Sequence, residues 1–109
     1  MVIVEGRKVI IQGVQDALDL MASIWYTHGC TKAVLDKAII AEDFFRLRTG
    51  LTGEILQTFS NYRFVVAIFG DFTVYDSKSL RDFIYECNQG RQVFFAKDQQ
   101  SAIDHLQTL

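Results

Sequence analysis

The sequence contains no proline and only two cysteines among its 109 residues. The absence of proline excludes a proline-rich linker or recognition tail. Cys30 and Cys87 fall in different predicted elements and form no CxxC motif, so the sequence indicates neither a disulfide framework nor a cysteine zinc site. We expect both thiols to act as small apolar core groups in a reducing, cytoplasmic compartment.

The charge pattern and the apolar runs exclude further classes of protein. Eleven basic and 13 acidic residues give a net charge of −2, and no Lys/Arg run exceeds two residues. We therefore expect no nucleic-acid partner and no anionic-membrane partner. No apolar stretch approaches the roughly 18 residues that span a bilayer. Residues 1–5 enter a strand pattern, so we expect no signal peptide.

Motifs for metal binding and for catalysis are missing from the sequence. It contains no HExxH, no GxxxxGK[ST] and no nucleophile with a nearby histidine. His28 and His105 are isolated, and isolated histidines are more often structural or solvent-facing than metal ligands. We predict no metal and no cofactor.

Apolar residues form two kinds of pattern along the chain. Half of the residues are apolar, including nine Phe, which suffices for the core of one domain. Short apolar runs predict strands at residues 2–4, 9–12, 32–36, 64–69 and 92–96. Spacings of three and four predict helices over residues 14–28, 42–61, 79–90 and 98–109. The core-facing stripes of the first two helical patterns include Trp25 and Tyr62.

Alternation of strands and helices predicts the fold class. Residues 1–109 are expected to form a single α/β domain with a mostly parallel five-stranded sheet covered by helices. Residues 2–4 and 9–12 flank Gly6, which predicts an N-terminal β-hairpin and an antiparallel edge. Residues 64–69 are continuously apolar, which is typical of a strand covered on both faces.

The order of predicted elements resembles the STAS, or anti-sigma-factor-antagonist, fold. This resemblance implies a regulatory module that binds a partner and is switched by phosphorylation. STAS switches use a serine or threonine in the loop after the equivalent strand. Here residues 36–40 read Asp-Lys-Ala-Ile-Ile, without a hydroxyl, so the sequence departs from the STAS pattern at the switch.

Longer sequence stretches resemble a small bacterial family, domain of unknown function 4180. The resemblance covers nearly the whole length, and no activity follows from it. The stretches that it rests on are residues 15–21 (QDALDLM), 42–45 (EDFF), 49–51 (TGL), 53–57 (GEILQ), 70–72 (GDF) and 77–86 (SKSLRDFIYE).

Two loops follow strands and predict the location of a site, because open α/β sheets bind ligands beyond the carboxyl ends of their strands. These loops are residues 36–43 and 70–79. The predicted ligand or partner rim consists of Asp36, Glu42, Asp43, Asp71, Phe72, Tyr75, Ser77, Lys78, Ser79 and Arg81.

Two interpretations compete for the residues before the helix over 79–90. Its N-terminal amides, with Ser77, Lys78 and Ser79, are suited to hold a carboxylate or a phosphate. Alternatively, the Asp and Ser residues before the helix are ordinary caps that satisfy the N–H groups of the helix itself. Asp71 and Asp76 favour the second interpretation because they repel an anion.

Four carboxylates of the rim raise the question of acid/base chemistry. Asp36, Glu42, Asp43 and Asp71 are positioned to meet at one edge of the sheet, and paired acids serve as acid and base when their pKa values differ. However, two of them, Glu42 and Asp43, fall in a predicted first helical turn, where the dipole favours acids in any case.

Gly50 and Gly53 interrupt the longest helical pattern, and each costs about 1 kcal/mol relative to Ala. One interpretation is a helix break near residues 49–52. The other is close approach by a second backbone, which predicts a homodimer packed through this helix. The predicted dimer interface consists of Phe45, Thr49, Gly53, Leu56 and Ser60.

Two functions remain open from the sequence. The first is a non-enzymatic interaction, regulatory or ligand-binding module, whose partner is another protein or a small ligand at the rim. The second is an enzyme acting on a small polar metabolite, with Asp36, Asp43 or Asp71 as acid or base and Lys78 or Arg81 holding an anionic group. A deep pocket with an ionisable floor favours the enzyme, and a shallow rim with exposed Phe72 and Tyr75 favours a protein partner.

Overall fold

A four-stranded parallel sheet forms the centre of the computed structural model, which describes the backbone of residues 1–109 and all side chains except that of Arg48. Its strands lie in the order β1-β2-β3-β4, and each neighbouring pair is parallel. They are β1 (Val2–Val4), β2 (Lys32–Asp36), β3 (Val65–Phe69) and β4 (Val93–Ala96). The α/β class and the parallel sheet are confirmed, whereas the expected fifth strand is absent from the described backbone.

The predicted N-terminal hairpin is wrong. β1 pairs in parallel with β2, with Val2 opposite Ala33, and not with residues 9–12. Within residues 9–12, Ile11 forms only an isolated parallel bridge to Ile40, and its side chain is buried in the core. The apolar run therefore reflects burial of Ile11 beneath the loop after β2, which the alternation pattern alone does not distinguish from a strand.

Helices cover both faces of the sheet. Sequential parallel strands with right-handed crossovers place their connecting helices on one face. The connecting helices are α1 (Val14–His28), α2 (Leu51–Asn61) and α3 (Lys78–Asn88), and the last helix is α4 (Gln99–Gln107). The first three share one buried cluster with Leu35, whereas α4 buries Ala102 and Leu106 against Val34 on the other face. Burial of both faces explains the continuous apolar strands.

The predicted helix over residues 42–61 is broken at Gly50, which has φ +77°. Two short 3₁₀ turns (Glu42–Phe45 and Leu47–Thr49) precede α2. Phe45 is only 3% exposed and packs in the core, so it is not available to a second subunit. The five residues of the predicted dimer interface therefore do not share one face of a continuous helix, and the homodimer stays a prediction.

The free edge of β4 is covered by a side chain from the last residue of α3. The Oδ1 of Asn88 accepts a hydrogen bond from the N–H of Phe95 at 2.8 Å, and its Nδ2 donates to the carbonyl of Phe95 at 3.2 Å. An amide side chain thus occupies the place of a neighbouring strand. This pairing satisfies two edge groups that otherwise attract another chain.

Candidate functional site

Two surface cavities lie at opposite ends of the strands of the sheet. The first lies beyond the carboxyl ends of β3 and β4, has a volume of about 690 Å³ and is called the strand-end groove here. Its apolar lining includes the partly or fully buried Phe72, Ile84, Phe95 and Ala96. Its charged residues are Asp71, Arg81 and Lys97, which are exposed. The groove therefore has an apolar base and a charged rim.

Of the four predicted acids, Asp36, Glu42 and Asp43 do not line the groove. The carboxylate of Asp36 accepts a hydrogen bond from the N–H of Ala38 at 2.9 Å and caps the 3₁₀ turn after β2. The carboxylate of Asp43 pairs with Arg46 at 3.3 Å on the exposed surface. Asp36 and Asp43 are thus each engaged locally, within three residues of their own positions.

Glu42 and Tyr75 join the two predicted loops. The Tyr75 hydroxyl donates to Oε2 of Glu42 at 2.7 Å, and Nζ of Lys37 lies 3.7 Å from Oε1 of the same carboxylate. The Lys37 ammonium also lies 4.9 Å from the centre of the Tyr75 ring, within the range of a cation–π contact. Burial, and then the bond to Glu42, raise the pKa of the Tyr75 hydroxyl. Tyr75 is therefore a protonated donor at neutral pH.

Gly70 permits the close approach of these loops. It has φ +156°, and a Cβ added there would lie 2.7 Å from Cβ of Lys37. Real Cβ atoms do not approach a neighbouring Cβ so closely, so a side chain at position 70 displaces Lys37. Sequence reasoning placed Gly70 in the loop over residues 70–79 and in the family-like stretch over residues 70–72. It gave no reason for this packing.

Asp71 and Phe72 follow directly on Gly70 and lie in the groove. The Asp71 carboxylate accepts hydrogen bonds from the hydroxyl and the N–H of Thr73, and these bonds lower the pKa of Asp71. Asp71 is therefore ionised at neutral pH and already paired with donors. Phe72 packs edge-on against Phe95, with 5.3 Å between ring centres, and helps to form the apolar base.

The start of α3 uses its polar side chains internally. The Ser77 hydroxyl accepts a hydrogen bond from the N–H of Leu80 at 3.1 Å, so Ser77 is the cap and α3 begins before the predicted start at Ser79. Lys78 pairs with Asp82 at 2.8 Å. Ser79 is exposed and does not line the groove. From this segment, only Arg81 lines it.

Four residues of the described groove lining lie outside both the predicted rim and the two selected loops: Ile84, Phe95, Ala96 and Lys97. A signal for Lys97 was present, because it follows the last predicted strand, and the rule that selected the two loops applies there too. Ile84 fell within the predicted helix over residues 79–90, and Phe95 and Ala96 fell within the predicted strand over residues 92–96. Nothing in the sequence pattern indicated that these side chains reach the groove.

The second cavity, called the helix-end cavity here, lies at the opposite end of the sheet, where β2 and β3 begin. Its volume is about 620 Å³, and its lining includes Asp19, Trp25, Thr31, Tyr62 and Phe64. Trp25 is 58% exposed and Tyr62 is 60% exposed, so their predicted place in core-facing stripes is wrong. Trp25 lies in the last turn of α1 and Tyr62 follows α2, so each stripe continues beyond the buried residues of its helix.

The part of the chain that the structure describes holds neither a metal-binding cluster nor a membrane-spanning helix. No three His, Cys, Asp or Glu side chains are grouped so that they could hold a metal ion. In the same described residues, no helix combines the length and the apolar character needed to cross a bilayer.

Comparison with known proteins gives one match. The family model described as "Domain of unknown function (DUF4180)" matches residues 1–106. No curated protein and no solved structure is significantly similar to the chain. The resemblance to the STAS fold therefore stays a prediction.

Proposed function

This chain belongs to DUF4180, a family of domains of unknown function, and on that premise we propose that it is a non-enzymatic binding module. In this proposal the strand-end groove holds an acidic, partly apolar segment of a partner protein. The observation that supports it is the arrangement of the groove, whose base is apolar and whose charged groups, Arg81, Lys97 and Asp71, are at the exposed rim.

The chemistry of the groove favours binding over catalysis. A general acid or base works best when its pKa lies near the operating pH. The pKa of Asp71 is lowered, and the pKa of Tyr75 is raised, so both shifts lead away from neutrality. Asp36 and Asp43 are engaged in contacts outside the groove. No contact among the described side chains favours the alternative of an enzyme for small polar metabolites.

The charge and the apolar surface around the groove favour a protein segment with acidic residues. Arg81 and Lys97 form no ion pair with the described side chains, whereas Asp71 already accepts two hydrogen bonds from Thr73. An acidic group therefore finds two cations without an ion-pair partner at the described rim, against one ionised carboxylate, that of Asp71. Val74, which is exposed between two groove residues, extends the apolar surface beyond the groove itself.

Site-specific photo-crosslinking in cells tests this proposal. A photoreactive phenylalanine replaces the exposed Thr73 in the groove, and a control chain carries it at the exposed Gln100 on α4. Mass spectrometry identifies the segment captured at position 73 but not at position 100. The synthetic peptide of that segment is then titrated against the purified chain.

The peptide titration decides the outcome. We expect acidic residues in the captured segment and weaker binding to the double variant Arg81→Gln/Lys97→Gln, with no change in Lys8→Gln, an exposed lysine that does not line the groove. Equal binding to wild type and the double variant contradicts the proposal. Turnover of a small metabolite that is lost in Asp36→Asn or Asp71→Asn supports the enzyme instead.

A further inference from the structure

We propose that the helix-end cavity binds a small organic cation that carries an alkylated ammonium group. This site is separate from the strand-end groove and does not depend on the function proposed for it. Its volume of about 620 Å³ is in the range of small-molecule sites.

The charge of the cavity lining selects a cation. Asp19 is the one charged residue in the described lining, which contains no Lys and no Arg. The Oδ1 of Asp19 accepts a hydrogen bond from Nε2 of Gln15 at 2.9 Å, one helical turn away. This bond holds the carboxylate on the surface of α1 and leaves its second oxygen for a ligand. An anionic ligand is repelled by the same group.

The carboxyl ends of α1 and α2 add negative potential near the cavity. In a parallel sheet the connecting helices run opposite to the strands, so α1 and α2 both end where β2 and β3 begin. Trp25 lies in the last turn of α1, and Tyr62 is the residue that follows α2. The C-terminus of a helix carries about half a negative charge and favours cations. In α2 part of this charge is already satisfied, because the carbonyls of Phe59 and Ser60 accept hydrogen bonds from the residues after the helix. Arg63 comes next in the chain, is exposed and does not line the cavity.

Aromatic rings supply the remaining requirement for an alkylated ammonium. Trp25 and Tyr62 expose more than half of their surface, and the buried Phe64 contributes to the same lining. Ring faces attract an ammonium group within about 6 Å, and they also bury its methyl groups. A neutral apolar ligand uses only the second of these effects. The carboxylate, the helix ends and the rings together therefore specify a cation with an apolar body.

The chain carries its own reporter for the test, because Trp25 is its one tryptophan. Trp25 fluorescence and its indole N–H resonance are followed during titration with choline chloride at constant ionic strength. The neutral isostere 3,3-dimethylbutan-1-ol, with a tert-butyl group in place of trimethylammonium, is titrated in parallel. We expect saturable binding of choline that is about three- to thirty-fold tighter than binding of the alcohol, the ratio expected for a cation–π contact.

Paired variants separate this site from a general surface effect. Asp19→Asn and Tyr62→Leu are expected to weaken choline binding several-fold. Asp104→Asn is the matched control for charge, since Asp104 also accepts a bond from a glutamine one turn away, at 2.8 Å, but on α4. Tyr85→Leu is the matched control for the ring, since Tyr85 is 68% exposed on α3. All four replaced side chains are exposed, so circular dichroism is expected to show intact folds.

Several results would overturn the proposal. Equal affinity for choline and the alcohol shows an apolar groove without preference for charge. A choline titration without saturation shows that there is no site. An equal loss of affinity in Asp19→Asn and Asp104→Asn removes the assigned role of Asp19. A change in Trp25 emission upon dilution, without ligand, shows that a second copy of the chain covers the cavity.

Discussion

Replacement of Asn88 tests whether one amide side chain protects the edge of the sheet. The side chain makes two hydrogen bonds to the backbone of Phe95, one as acceptor and one as donor. Asn88→Ala removes both. Asn88→Asp keeps the shape and the acceptor, but it places a carboxylate oxygen opposite the Phe95 carbonyl, where the donor was.

The expected cost follows from these two bonds. Each intramolecular hydrogen bond contributes about 0.5–1.5 kcal/mol net, so losing both costs about 1–3 kcal/mol. Asn88 is the last residue of α3, and the better helix propensity of Ala offsets roughly 0.5 kcal/mol of this loss. Asn88→Asp gains no such offset and adds repulsion between two oxygen atoms. We therefore expect Asn88→Asp to be at least as destabilising as Asn88→Ala.

Urea denaturation and amide hydrogen exchange measure the effect. Both variants are expected to unfold at lower urea with an unchanged m-value, and the Phe95 amide is expected to exchange faster than in wild type. Gln89→Ala is the control, because Gln89 is an exposed amide next to Asn88 without a hydrogen bond to the described side chains. Wild-type stability of Asn88→Asp, or an unchanged exchange rate at Phe95, refutes the reasoning.

Three further changes test other contacts. Gly70→Ala is expected to lower the unfolding free energy by about 2–5 kcal/mol, because of the positive φ at Gly70 and the clash with Lys37. In a Lys37→Gly background, urea denaturation should show a smaller loss, and an equal loss contradicts the clash. The pKa of Tyr75 is raised in the folded state, so the contribution of Tyr75 to stability is complete below about pH 10 and is lost as the pH rises further. Tyr75→Phe should therefore lose less unfolding free energy at alkaline pH than the wild type. Parallel curves of unfolding free energy against pH for the two proteins refute this assignment. If the homodimer forms, the wild type sediments as a dimer and Gly53→Glu as a monomer. The variant should still fold, because an added Cβ at Gly53 meets no described heavy atom within 4 Å. A wild-type monomer at high micromolar concentration contradicts the homodimer.

Local patterns predicted the sheet well where burial and strand formation coincide. The strand over residues 32–36 has the predicted bounds because its apolar run is buried on both faces. Residues 9–12 show the limit of that reasoning, since Ile11 is buried without belonging to a ladder. The helical spacing over residues 42–61 persisted across Gly50 because two 3₁₀ turns and a helix can all bury side chains at similar intervals.

The candidate site was predicted in its position more than in its members. The rule for open sheets selected the segment with Asp71, Phe72, Tyr75 and Arg81, which lines the strand-end groove. It also selected Asp36 and Asp43, which the structure uses elsewhere. Which acids meet depends on contacts between loops that are distant in the chain, and a single sequence does not encode these contacts in any local pattern.

The bond between Tyr75 and Glu42 has a consequence for the energetics of the groove. It ties together segments 33 positions apart, and Lys37 lies against both of these side chains. Because the two loops are joined by this bond, they lose fewer conformations when a partner binds. Preorganisation of this kind lowers the entropic cost of association, so cutting the tie with Tyr75→Phe should weaken binding even of a partner that never touches the hydroxyl.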